Sequence, residues 1–122
     1  MIVLDEQLQD KKIFAEIAHW YPGQVISIKE AHRLTQILDD AVPTLLHGLK
    51  DPTFVTTNYT DFWPKIEAHP GYCVICIDLK IERSREVPGI LRGLLKRPEL
   101  NTKRKRMGQV ISYSNGKIKH YE

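Results

Sequence analysis

The sequence predicts an α/β protein with three layers: a central, mainly parallel sheet flanked by helices and a C-terminal β-hairpin. Three observations predict it. Short apolar runs without alternation recur at 1–4, 25–28, 54–57 and 73–77, as expected of strands covered on both faces. Between them, apolar residues repeat at helical spacing, and strand, helix, strand succession implies parallel neighbours joined by crossovers. Near the end, Ser114-Asn115-Gly116 separates the runs 109–113 and 117–121, and Asn-Gly between such runs signals a tight hairpin.

In order, the first strand stops at Asp5-Glu6. Asp10 is placed to cap a helix carrying Ile13, Phe14, Ile17 and Ala18, which Pro22-Gly23 closes. After the second strand, Ser27 and Glu30 have capping-box spacing for a further helix, with Ala31, Leu34, Ile37 and Leu38 as its stripe and Asp39-Asp40 at its end. Val42, Leu45, Leu46 and Leu49 form another stripe, with Pro43 in the first turn and Asp40 as a candidate cap. The third strand is followed by a short helix over 61–69 with Asp61 as its candidate cap, ended by Pro70-Gly71. The fourth, 73–77, is the most apolar and so the central strand, and it ends at Asp78. Ile90, Leu91, Leu94 and Leu95 mark a helix over 87–96. The segment 98–108 is polar, basic and aperiodic, and reads as a mobile loop or arm.

Length and composition bound the rest. With 122 residues, 42% apolar and 27% charged, the chain suits one domain of ordinary globular type over 1–122. No apolar run approaches the roughly 18 residues that span a bilayer, and 1–4 lacks the flanks of a signal peptide. The expectation is an unprocessed cytoplasmic protein. Net charge is only +3, but Arg92, Lys96, Arg97, Lys103, Arg104, Lys105 and Arg106 crowd 92–106 against Glu99 alone. That is either a basic face for nucleic acid or a solvated surface. Cys73 and Cys76 lie three apart in a strand, so their side chains face opposite sides and read as two buried thiols.

Parallel strands deliver the residues just after them to one edge of the sheet. Here that edge receives Asp5 and Glu6, then Asp61, then Asp78. Such carboxylates repel unless a cation neutralises them, and hard oxygen donors suit magnesium or manganese, which can activate water against a phosphodiester. Each acid also has the plainer role of helix cap or solvated turn. Dinucleotide, P-loop and zincin motifs are absent. His19, His32, His47, His69 and His120 are scattered, while Trp20, Tyr21, Phe62 and Trp63 sit beside apolar stripes, as packing residues or as platforms for a base.

Ile2-Val3-Leu4-Asp5-Glu6 and Val55-Thr56-Thr57-Asn58-Tyr59-Thr60-Asp61-Phe62, with Asp39-Asp40 and Leu45-Leu46 between them, resemble the small bacterial and archaeal branch of the PIN-like nucleases. Order and spacing agree over roughly the first 80 residues. The resemblance implies a parallel α/β sheet, a ribonuclease dependent on Mg2+ or Mn2+, and often the toxin of a toxin-antitoxin pair, with an antitoxin partner and a homodimer as further expectations. By position it implies Asp5, Asp40 (or Asp39) and Asp61 as catalytic metal ligands with Glu6 nearby. RNA would then be held by Arg92, Lys96, Lys103, Arg104, Lys105 and Arg106. The chain departs from the pattern at Tyr59, where the motif has an acid. A phenol with a pKa near 10 is a poor magnesium ligand; Asp78 is the candidate replacement, and the alternative is a module that binds RNA or a protein without cleaving.

Overall fold

The structure is a computed structural model in which residues 1–31 and 41–122 are described. Among them six strands form one sheet: β1 (Ile2–Leu4), β2 (Val25–Ser27), β3 (Thr53–Thr56), β4 (Cys73–Ile77), β5 (Val110–Ser114) and β6 (Lys117–Tyr121), in the order β2-β1-β3-β4-β5-β6. The first five run parallel, and β6 pairs antiparallel to β5. Asn115 and Gly116 both have positive φ, 50° and 75°, the twist a two-residue hairpin requires.

The apolar runs lack alternation because both faces are covered. Ile2, Leu4, Val55, Ile75 and Ile77 enter one core with Ile13 and Ile17 of α1 (Lys11–Trp20) and Val87, Leu91 and Leu94 of α5 (Val87–Leu95). Val3, Phe54, Val74 and Val110 enter the other with Val42 and Leu46 of α3 (Val42–His47) and Phe62 of α4 (Tyr59–Phe62). The result is helix, sheet, helix. Cys73 and Cys76 fall in opposite cores, as their spacing predicts; burial pushes both thiols up to about 12.

Local sequence explains the boundaries. Asp10 caps α1 by accepting the Lys12 N–H at 2.8 Å, and the helix closes at Tyr21, whose N–H donates to Ile17. Ile28, expected in the second strand, instead opens α2 (Ile28–Ala31), because Ser27 Oγ accepts the Lys29 N–H at 3.2 Å and turns the chain. The stripe over 32–40 lies outside the described residues, and so do Asp39 and Asp40. The cap position of α3 is Ala41, which offers no side-chain oxygen, rather than Asp40.

Two further expectations change. The helix expected over 61–69 is instead a short one, Tyr59–Phe62, which ends before Trp63, holds Asp61 inside it and starts two residues earlier. Its cause is Thr56, whose Oγ1 accepts the Asn58 N–H at 2.9 Å and turns the backbone at the end of β3. Nor is the basic segment a plain loop: it holds α6 (Lys103–Arg106), capped by Thr102, whose Oγ1 accepts the Lys105 N–H. Arg106 is only 4% exposed and donates to the Leu100 carbonyl at 2.9 Å and to Thr53 Oγ1 at 3.4 Å, pinning the segment to the start of β3.

Candidate functional site

The strand order places a switch point between β1 and β3, since the chain leaves β1 for β2 on one side and returns to β3 on the other. Crevices at the carboxyl ends of strands flanking such a point are where open α/β sheets hold ligands. Asp5 stands there. Its N–H continues the β1 ladder to the Val55 carbonyl at 3.0 Å, so its side chain is set by the sheet rather than by a loose turn. One carboxylate oxygen accepts from Thr56 Oγ1 at 2.6 Å and the other from the Glu6 N–H at 2.7 Å.

Asp5 is 6% exposed. Burial pushes its carboxyl above the ordinary value of 3.8, against the two hydrogen bonds, which favour the ionised form, while nearby Glu6 adds to the rise. A buried acid with a displaced pKa at a switch point is the feature of this surface most suited to chemistry.

Register extends the site sideways. Leu4 pairs with Val55, so Asp5 and Thr56 follow side by side; Thr56 pairs with Cys76, Cys76 with Ser112, and Ser112 with Lys119. Tyr59 reaches across β4, its hydroxyl 2.7 Å from Ser112 Oγ. Beyond it, Tyr59, Ser112, Ser114, Asn115, Lys117 and Lys119 line a cavity of about 170 Å³. Hydroxyls beside two ammonium groups can hold a phosphate. Sequence reasoning missed Lys117 and Lys119. The signal was there: the Asn-Gly turn fixes the hairpin register and sets Lys119 opposite Ser112.

The other expected acids are less well gathered. Glu6 is half-buried at the start of a 3-10 turn (Glu6–Leu8) beside Asp5. Asp61 is exposed on α4. Asp78 is exposed after β4 and accepts from Ser114 Oγ at 2.7 Å, which places it on the β5 side, with β3 between its strand and Asp5's. Among the described residues, no three His, Cys, Asp or Glu side chains come together to hold a metal ion. The donor type thus fits magnesium or manganese, whereas the donor number falls short without Asp39 or Asp40, which lie outside those residues.

The basic residues do not join this edge. Arg92, Lys96, Lys103 and Arg106 line a groove with Trp20 and Tyr21 near the opposite, amino edge, where Arg106 meets Thr53 at the first position of β3. Arg104 is exposed, and the Lys105 ammonium donates to Pro98 and Asn101. Trp63 packs between Tyr59 and Tyr121, with ring centroids 6.4 and 5.2 Å away. Among the described residues no helix is long and apolar enough to cross a membrane. No family model, curated protein or solved structure matches the chain.

Proposed function

We propose that this chain is a PIN-like ribonuclease whose Asp5 edge acts on RNA phosphodiesters with Mg2+ or Mn2+, and that it serves as the toxin of a toxin-antitoxin pair. One observation carries the nuclease reading: Asp5 is buried at the switch point with its carboxylate aimed by Thr56. When bound, the cation supplies an activated water and charge stabilisation at the scissile phosphate. Asp5 is its anchoring ligand, with Asp61 and Asp40 as the further ligands the resemblance implies. Thr56 orients Asp5, and Lys117 and Lys119, on β6 at the far end of the same carboxyl edge, hold phosphates further along the RNA strand. Asp5→Asn is expected to lower manganese-dependent cleavage of single-stranded RNA by at least about a hundredfold while leaving the fold intact. Cleavage equal in wild type and variant would assign the activity to a contaminant.

A second reading has its own observation. The Tyr59 hydroxyl is 2.7 Å from Ser112 Oγ, at the position where the resembled motif has a carboxylate. On this reading the domain binds RNA without cleaving it. Calorimetry separates the two: manganese heat that Asp61→Asn abolishes supports the enzyme, and RNA binding with no manganese heat supports the module.

A further inference from the structure

The groove at the amino edge gathers four cationic side chains, Arg92, Lys96, Lys103 and Arg106. It is framed by the end of α1, the last turn of α5 and the start of α6, with a volume of about 520 Å³. Arg92, Lys96 and Lys103 are exposed along it, and Arg106 is buried beneath. Among the described residues no carboxylate lines it. Burial lowers the pKa of the nearby Met1 amine, and Lys103 and Arg106 add to the lowering while Asp51 opposes it.

Trp20 decides the class of ligand. The indole is half-buried and lines both this groove and the adjoining one floored by Pro88 and Gly89, so it forms the ridge between them. Tyr21 meets it edge-on at 6.2 Å, which fixes the ring without covering it face to face. An aromatic ridge beside three solvent-facing cations matches a strand whose phosphates pair with the cations while a base stacks on the ring. An acidic peptide would satisfy the charges and leave the indole unused.

We propose that Trp20, Tyr21, Arg92, Lys96, Lys103 and Arg106 form a binding site for single-stranded RNA separate from the Asp5 edge. The choice of RNA rests on the nuclease reading; binding in the groove does not require cleavage. Arg106 supports the floor through Leu100 and Thr53, while Arg92, Lys96 and Lys103 contact phosphates.

Fluorescence anisotropy of a labelled uridine-rich RNA of about 12 nucleotides, in EDTA so that no cleavage occurs, tests the site across about 50 to 200 mM KCl. Three phosphate contacts predict a slope of log affinity against log salt of about −2. The triple change Arg92→Ala, Lys96→Ala, Lys103→Ala should weaken binding at least about tenfold at low salt and flatten the slope, and Lys103→Ala alone should act in the same direction by about threefold. Lys65→Ala, which removes an exposed cation outside the groove, should leave binding unchanged. In a Trp63→Phe background the remaining Trp20 fluorescence should be quenched by RNA. Binding by the triple variant equal to wild type overturns the proposal, as does the absence of binding at low salt or equal competition by polyglutamate. If manganese-dependent cleavage is absent but the groove variants still lose RNA, the nuclease reading fails and the groove stands.

Discussion

Asp5 links pH to stability in a direction set by its burial. Its native carboxyl holds a proton more tightly than the unfolded chain's, whose value is near the ordinary 3.8. Between that value and the raised native one the folded state binds more protons, so stability falls as pH rises through the interval and stays lower above it. Asparagine has the same shape and does not titrate. Its carbonyl can accept from the Glu6 N–H while its amide donates to a rotated Thr56 hydroxyl. Asp5→Asn is therefore expected to be more stable than wild type at neutral pH, with the difference shrinking as pH falls toward 3.8; urea midpoints over the acid range measure it, and a constant gap would show that Asp5 carries no burial penalty. Thr56→Val does the opposite. It strips a buried carboxylate of its 2.6 Å partner and is expected to cost about 2 kcal/mol at neutral pH in urea unfolding.

At the scale of elements, what could be read in advance depended on whether the determining contact was local. The strand 73–77 is continuous apolar residues, and the hairpin has Asn115-Gly116; both announce themselves within a few residues. The start of α4 does not. It depends on the Thr56 hydroxyl accepting the Asn58 N–H, a turn that Asp61, as an apparent cap, disguised. Arg106 was hidden for a related reason: four successive basic residues read as solvent-facing, and only the partners at Leu100 and Thr53, far apart in sequence, explain why the fourth is buried. Those partners make a prediction. Arg106→Met leaves the Leu100 carbonyl unanswered under the sheet edge and is expected to cost about 2 kcal/mol by chemical denaturation. Lys105→Met, whose ammonium bonds are exposed, should stay within about 0.5 kcal/mol of wild type. Equal effects would mean that α6 is held by its apolar neighbours alone.

Across the described residues the candidate functions divide between the two ends of one mainly parallel sheet. Acids and the Lys117-Lys119 cavity occupy the carboxyl edge, and the aromatic, basic groove occupies the amino edge. Sequence order could reveal both sets but not their separation, because the cations of 92–106 fall between β4 and β5, whose carboxyl ends lie at the Asp5 edge. Only the path of α5 and α6 carries them to the other end. The separation has a kinetic consequence if one RNA strand engages both edges. A strand long enough to span them gains the second contact as an intramolecular event, whereas a dinucleotide reaches the cleaving edge alone. The triple change at Arg92, Lys96 and Lys103 should therefore raise KM at least about tenfold for an RNA of about 20 nucleotides, with kcat unchanged, and leave a dinucleotide's constants untouched. Lys117→Ala with Lys119→Ala should likewise raise KM for the longer RNA and spare the dinucleotide, since β3, β4 and β5 separate their strand from Asp5's along the carboxyl edge. Steady-state cleavage of the two substrates by the two variants reads this directly; a loss for the short substrate in the triple variant would place the amino-edge cations within the reacting site and collapse the two edges into one.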